Sequence, residues 1–227
     1  MRTFEFDVDQ RHASKSNETL ADVRRLRLSA LILGLVFAAI ALWVSRDGQT
    51  WELVIAAALG VAALGCVFIS FWAPRRVGSM ADLYAKGPLV PAVIAEVGPR
   101  GATLLGLIDV AKPGNESRPA LVARQVRTLP GHKMAVGERV PSIGILSDRT
   151  RHSSDTWQLA SVMPIAWGTA DMAVVRKAES QIDDAEWQVL TANINRAELA
   201  RRTTEGRIEL NDSELPDDLR PDDGTDN

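Results

Sequence analysis

The side chains that could do acid–base or metal chemistry are few and scattered along this chain. The histidines are His12, His132 and His152, and the single cysteine is Cys66. No histidine lies three or four residues from another ligand type on a predicted helix, and a lone thiol forms no disulfide within its chain, so we expect neither a metal site nor a disulfide framework. Because the chain also lacks a glycine-rich phosphate loop and a Gly-x-Ser-x-Gly turn, we expect no cofactor.

Catalysis at a bilayer surface is the weaker of two functional hypotheses. A membrane-surface hydrolase would have to use His132, His152 and Asp155 as its acid and base groups. General acid–base catalysis needs such groups within hydrogen-bond reach, and their spacing does not arrange this. Two carboxylates, Glu96 and Asp109, could meet across a hairpin, but we expect them to pair with arginines on a strand face.

A basic cluster is the better candidate for a binding site. Its predicted members, which would contact an anion or a lipid headgroup, are Arg124, Arg127, Arg149, Arg151 and His152. The alternative is an ordinary solvated face. Two polar loops, residues 113–119 and 148–155, are the predicted exposed surface, because binding residues concentrate on loops that flank strands.

Charge is distributed unevenly. Residues 75–168 hold twelve Lys and Arg against seven Asp and Glu, whereas residues 203–227 hold two Arg against nine acids. A basic domain held beneath an anionic leaflet is attracted to it by about 1 kcal/mol per basic residue near the surface. The acidic tail could compete for the same face.

Two uncharged apolar runs, residues 28–44 and 53–73, must position everything else. Both runs lie within the roughly 17 to 25 residues that a helix needs to cross a bilayer, and the short polar link 45–50 separates them. Small residues recur four apart on each run and predict close packing of the two helices: Ala30, Gly34 and Ala38 on the first, and Ala56 and Gly60 on the second. A signal peptide or a buried core hairpin is the alternative.

The positive charges predict the orientation of this hairpin. Arginines precede the first run and follow the second, so the positive-inside rule places both termini in the cytoplasm, with the hairpin in the plasma membrane. We therefore expect four segments: a flexible arm (1–23), a transmembrane hairpin (24–76), a β-rich domain with C-terminal helices (77–202) and a disordered acidic tail (203–227).

The predicted domain begins with short apolar stretches separated by Gly and Pro. Five strands are expected, at residues 90–97, 103–111, 120–129, 139–146 and 157–163, with the second central and Pro91, Pro141 and Pro164 at strand ends or on edge strands. Two helices follow, at about 170–180 and from Asp183. Asp183 and Glu186 have capping-box spacing, and Trp187, Leu190, Ile194 and Leu199 form the apolar face, with Trp167 or Trp187 as an anchor.

The fold class is therefore an α+β membrane protein. The transmembrane hairpin precedes a small five-stranded β-barrel of OB or SH3 type, or a sandwich, packed with one or two C-terminal helices. Because few aromatic side chains lie on the strands to stack bases, we expect no nucleic-acid partner. The favoured function is a membrane-tethered binding or scaffold module that docks on anionic lipid or on a protein partner.

Three segments carry a resemblance to a known family. GPLVPAVIAEV, VGERVPSIGIL and MPIAWGTAD, followed by the helix that contains Glu-Trp, resemble the C-terminal domain of an uncharacterised actinobacterial membrane-protein family with a similar two-helix hairpin in front of it. The resemblance covers residues 24–202. It implies the fold and membrane attachment, and since the family has no assigned activity it implies no functional residue.

Overall fold

The computed structural model describes residues 2–46, 48–77, 80–148 and 155–220, which form two compact units. Residues 17–79 form the first, the hairpin unit. Residues 1–16 and the chain from 80 onward form the second, the sheet domain. The hairpin is thus an insertion into the sequence of the sheet domain.

The hairpin unit contains two long helices, α2 (Glu18–Val44) and α3 (Thr50–Val77). Their segments Arg25–Val44 and Thr50–Trp72 are long and apolar enough to cross a membrane. Only 6% and 11% of the residues in their most apolar windows are buried, which differs from the burial of a soluble core hairpin. The two apolar helices of the prediction are confirmed.

The two helices approach closely at Gly34. A β-carbon added there would lie 3.3 Å from Cβ of Cys66 and 3.4 Å from the Ala63 carbonyl oxygen, so only glycine allows this approach without displacement. At Gly60 no described atom lies within 4 Å of such a β-carbon, and the predicted contact at that position is wrong. Arg27 lies over the Phe71 ring at 5.6 Å, which joins the two helices near the start of α2.

The sheet domain contains five short helices and seven strands among its described residues. In chain order they are α1 (Gln10–Ser16), α4 (Met80–Lys86), β1 (Leu89–Val90), β2 (Ala92–Gly98), β3 (Gly101–Asp109), β4 (Pro119–Val126), β5 (Ser142–Ser147), β6 (Leu159–Pro164), α5 (Met172–Glu179), α6 (Asp184–Ala192), α7 (Ala197–Arg202) and β7 (Arg207–Glu209).

The strands form two antiparallel sheets, with orders β1-β5-β6 and β2-β3-β4-β7. Each predicted strand has a counterpart, and β3 is central as expected, with seven consecutive buried residues between half-buried ends. Pro91 separates β1 from β2, Pro141 precedes β5 and Pro164 ends β6, because proline supplies no N–H to a strand ladder. The strands β1 and β7 are too short for the pattern to predict.

The two sheets pack against each other where glycines remove side-chain bulk. A β-carbon on Gly106 of β3 would lie 2.4 Å from Val162 of β6, and one on Gly144 of β5 would lie 2.5 Å from Ile108 of β3. At one corner the Val140 N–H donates to the Ala92 carbonyl at 2.7 Å and joins the sheets. Within the described residues the strands form two sheets and no closed barrel, so the barrel of the prediction is not found.

The helices after β6 follow the prediction in part. Asp171 and Asp183 cap α5 and α6, since each carboxylate accepts the N–H two residues on. Glu186 does not complete a capping box with Asp183 and pairs instead with Arg2. Trp167 and Trp187 are both at most 1% exposed, as anchors should be, whereas Leu199 is 57% exposed and was wrongly assigned to the apolar face.

The N-terminal segment is the main correction to the predicted organisation. Residues 2–16 were expected to be a flexible arm, yet Thr3 bridges Pro88, and Leu89 N–H donates to the Arg2 carbonyl at 2.7 Å. Phe4 is 5% exposed, and Phe6 meets Tyr84 edge-to-face at 5.1 Å. Phe4 and Phe6 alternate as in a strand, but three residues of such a pattern are too few to predict pairing.

The tail is also ordered further than expected. Residues 203–227 were predicted to be disordered, but β7 pairs with β4, and Leu210 and Leu215 are buried. Asn211 and Glu214 form a capping box around a single helical turn. The Asn-x-x-Glu spacing is a visible sequence signal for this turn, which the high acid content obscured.

We expect Phe4→Ala to destabilise the sheet domain by about 3 kcal/mol, because a buried phenylalanine that becomes alanine loses apolar burial and leaves a cavity. Hydrogen exchange of β3 and β4 amides in the detergent-solubilised full chain measures this. Glu5→Ala, at the neighbouring exposed position, is the control and should change the amide protection little. Equal protection in both variants would restore the flexible-arm interpretation.

Candidate functional site

Arg124 of the predicted basic cluster is committed to the interior of the sheet domain. Its guanidinium lies 4.9 Å from the centre of the Trp167 ring, and its Nη1 donates to the Val162 carbonyl at 2.7 Å. The side chain is half-buried between β4 and β6. It therefore joins the two sheets and does not reach outward to a ligand.

The other members of the cluster are placed differently. Arg127 follows β4 and is exposed. Arg149, Arg151 and His152 lie outside the described residues. The structure therefore brings no two members of the predicted cluster together as a surface site among the residues it describes.

A different set of basic and apolar side chains lies around Arg127, at the end of the domain formed by the β2–β3 turn, the end of β4 and the loop before β5. We call this set the basic end. Its exposed cations are Arg100, Arg127 and Lys133, and its exposed apolar side chains are Val97 (47%), Met134 (38%) and Val136 (58%).

Backbone pairing positions the basic end. Gly98 pairs with Gly101 across a two-residue turn, and a β-carbon on Gly101 would lie 2.7 Å from Cα of Arg127, so the turn adjoins the end of β4. Gly101 has φ +129°, which a side chain would strain. Gly137 N–H donates to the Ile94 carbonyl at 2.8 Å, so Val136 lies beside the middle of β2.

The basic end adjoins the places where the chain leaves the sheet domain for the hairpin unit. Trp167 Nε1 donates to the Thr128 carbonyl at 2.9 Å, next to Arg127. His12 Nε2 lies 2.9 Å from the Ala166 carbonyl, one helical turn before α1 ends. Tyr84, one turn into α4, donates to the Pro164 carbonyl at 2.9 Å. Both chain connections therefore begin close to residues 164–168 and hence to the basic end.

Two of the residues proposed for acid–base chemistry, His132 and Asp155, are described by the structure and make separate contacts. His132 Nδ1 lies 3.3 Å from Glu138 Oε1, its side chain is 4% exposed, and its Nε2 has no partner among the described residues. Asp155 contributes its carbonyl to Lys112 N–H at 2.8 Å, and His152 lies outside the described residues. The hydrolase hypothesis stays a prediction.

Asp109 has a structural role that differs from the expected pairing with arginine. Its carboxylate accepts the N–H groups of Ala111 and Arg118 at 2.9 Å and the Ser117 hydroxyl at 2.8 Å. It therefore organises the loop between β3 and β4. Glu96 lies opposite Thr103, away from Asp109 in the register.

A cavity of about 400 Å³ lies at the Asp109 end of β3. Its apolar lining comes from β1, β3 and the C-terminal segment and includes Leu89, Leu107 and Leu215. Its polar lining consists of Arg2, Asp109, Ser117, Asp183 and Glu186. Arg2 pairs with Glu186 and donates to the Gln181 carbonyl at 2.9 Å, so the N-terminal segment forms one wall.

Comparison with known proteins adds the family. The family described as a protein of unknown function (DUF3239) matches residues 75–198, which is more than half of the chain. The chain belongs to this family. A crystal structure of a candidate membrane protein from Corynebacterium diphtheriae is similar to the DUF3239 chain, with 36% sequence identity and a TM-score of 0.50, over 54% of this chain and 99% of that one. None of the curated proteins compared with the chain matches it.

Sequence reasoning missed the basic end and the cavity, for different reasons. The exposed apolar residues Met134 and Val136 stand alone in a polar loop, where a pattern predicts a turn and no surface patch. The cavity depends on Arg2 and Leu215, which lie outside residues 75–198 and far apart in the sequence. Only the spacing of Asn211 and Glu214 offered a sequence signal, and it was for the ordered turn that precedes Leu215.

Glu214 holds the C-terminal wall of the cavity in place. It accepts the Asn211 N–H at 2.9 Å and lies 2.7 Å from Arg196. The Asn211 hydrogen bond, with help from Arg196 and against a desolvation effect, holds the pKa of the Glu214 carboxyl below its ordinary value of 4.5. A lowered pKa means that this carboxylate stabilises the segment above pH 4.5, and that the stabilisation is lost as the pH falls through the folded-state pKa.

We expect the Leu215 amide to lose hydrogen-exchange protection as the pH falls below 4.5, after correction for intrinsic exchange, while β3 stays protected. Glu214→Gln should remove this pH dependence, because glutamine still accepts the Asn211 N–H but does not titrate. Glu205→Gln, at an exposed position upstream, is the control. Protection that is constant across this range would exclude a role for the Glu214 charge.

Proposed function

We propose that the protein is a membrane-tethered cytoplasmic module that docks its basic end on the anionic inner leaflet of a bacterial plasma membrane. The observation that carries the proposal is the position of the basic end, beside both connections to the hairpin unit. Exposed apolar side chains flanked by cations suit a surface whose headgroups are anionic and whose interior is apolar. Val97, Met134 and Val136 would enter the interface, while Arg100, Arg127 and Lys133 would meet headgroups.

The hairpin unit supports the membrane part of this proposal. Exposed apolar side chains cover both helices, and a bilayer is the solvent that such surfaces require. Arginines lie at the outer ends of both apolar segments, which by the positive-inside rule favours termini in the cytoplasm. The short connection between α2 and α3 would then face the other side.

Weak docking is sufficient for a tethered domain. Three basic residues near an anionic surface contribute about 3 kcal/mol of binding free energy. This energy alone would hold a freely diffusing domain only weakly on the membrane. Two chain connections keep the basic end near the bilayer, so docking is effectively intramolecular. The role of the surface is therefore to set the orientation of the domain on the membrane.

Fluorescence of a single label tests the docking. The variant Cys66→Ala with Val136→Cys, labelled with the environment-sensitive dye NBD and placed in nanodiscs, should emit more strongly and at shorter wavelength with anionic lipid than with zwitterionic lipid. In about 0.5 M salt, where the screening length is roughly 4 Å, the difference should shrink. Reversal of charge by Lys133→Glu should shrink it as well.

Leu199 provides the matched control for this experiment. It is 57% exposed, against 58% for Val136, and lies on α7 outside the basic end. A label at Leu199→Cys should not respond to lipid charge. Equal responses at both positions, or none at Val136→Cys, would contradict docking by the basic end. A response that appears only when cell extract is added would indicate a protein partner in place of lipid.

Chain orientation is tested separately. With Cys66→Ala and Glu116→Cys, a membrane-impermeant maleimide should label intact spheroplasts poorly and permeabilised ones fully, since residue 116 lies in an exposed loop of the sheet domain. Full labelling without permeabilisation would place the domain outside the cytoplasm and would exclude the inner leaflet as its surface.

A further inference from the structure

The cavity at the Asp109 end of β3 has a chemistry that the membrane proposal does not use. Its volume of about 400 Å³ falls within the range of small-molecule sites. Leucine and proline side chains provide its apolar walls, and five polar side chains converge on it. Apolar walls with a few placed polar groups are the usual composition of a ligand site.

The cavity lining holds one cation, Arg2, against three carboxylates, of which Asp109 is half-buried and Asp183 is exposed. Arg2 and Glu186 neutralise each other as an ion pair. Asp109 and Asp183 have no ion pair among the described residues, because the donors that hold them are backbone N–H groups and the Ser117 hydroxyl. These neutral donors, with the positive end of α6 at Asp183, stabilise two carboxylates without supplying a counter-ion.

Both carboxylates also keep hydrogen-bonding capacity. An ionised carboxylate offers about four acceptor sites. Asp183 uses one, for the Ala185 N–H at 2.9 Å, and Asp109 uses three, shared between two N–H groups and one hydroxyl. An ammonium group, with three donors and one positive charge, matches this remaining capacity better than a carboxylate or phosphate would.

We infer that the cavity is a binding site for a small organic amine, whose ammonium group lies between Asp109 and Asp183 and whose apolar body packs on Leu89, Leu107 and Leu215. The inference is independent of docking on lipid. An anionic ligand would bring its charge close to two carboxylates and could rely only on Arg2, which Glu186 already engages.

Phenethylamine and 3-phenylpropanoate are suitable probes, because they share an apolar body and differ in charge. With the full chain in nanodiscs, saturation-transfer NMR should detect phenethylamine at a millimolar dissociation constant, and 3-phenylpropanoate only at the level of empty nanodiscs. Comparable binding of both probes, or preferential binding of the acid, would overturn the assignment of an amine.

Asp183→Asn and Asp171→Asn form a matched pair of variants. Both positions cap a helix through the same bond, and asparagine caps as well as aspartate, so both variants should fold. Only Asp183 lines the cavity. We expect Asp183→Asn to weaken phenethylamine binding at least several-fold and Asp171→Asn to leave it unchanged.

Ser117→Lys is a second variant that does not depend on the helix cap. It places an ammonium group from the exposed loop beside Asp109, where it should compete with the probe and abolish binding. Unchanged binding in both Asp183→Asn and Ser117→Lys would show that the amine binds elsewhere and would overturn the proposal.

Discussion

The close contact around Gly168 is the constraint on which the sheet domain depends. A β-carbon at this position would lie 2.8 Å from Phe6 and 2.9 Å from Tyr84, so glycine is required for the segment before the hairpin and the segment after it to meet. Asp9 N–H donates to the Gly168 carbonyl at 2.9 Å, and burial raises the pKa of the Tyr84 phenol, whose hydroxyl therefore stays neutral and donates to Pro164. Because residues 2–16 and 80–86 meet at one glycine, the hairpin unit can be inserted between them without separating the parts of the sheet domain.

What could be predicted from the sequence follows from the range of each interaction. The two long apolar helices and the central strand β3 were predictable, since each leaves a continuous local pattern of apolar residues. The caps at Asp183 and the anchors Trp167 and Trp187 were likewise local signals. The ordered N-terminal segment was not predictable from local sequence. Phe4 packs beside Phe6, and Phe6 packs on Tyr84, about eighty residues further along the chain.

The same reasoning explains the placement of Arg124, the member of the predicted cluster that the structure shows to be committed to the interior. Net charge by segment identified a basic domain, but it does not distinguish a cation that contacts solvent from one that joins two sheets. Arg124 stacks on Trp167 and satisfies the Val162 carbonyl, which no count of charges reveals. Arg127, three residues later, is exposed at the end of the same strand. The pleat and the end of β4, and not the composition, decide which arginine is half-buried between the sheets and which is exposed.

Strand β3 connects the two proposed sites and also separates them. Gly101 adjoins the basic end and Asp109 lines the cavity, and eight residue steps of a strand span about 27 Å. The screening length at physiological salt is about 8 Å, so charge changes at one end have little direct effect on the electrostatics of the other. Loss of amine binding in Asp183→Asn therefore cannot be attributed to altered lipid docking. The N-terminal segment has Arg2 at the cavity and Asp9 at Gly168, so it runs along the domain between these two places.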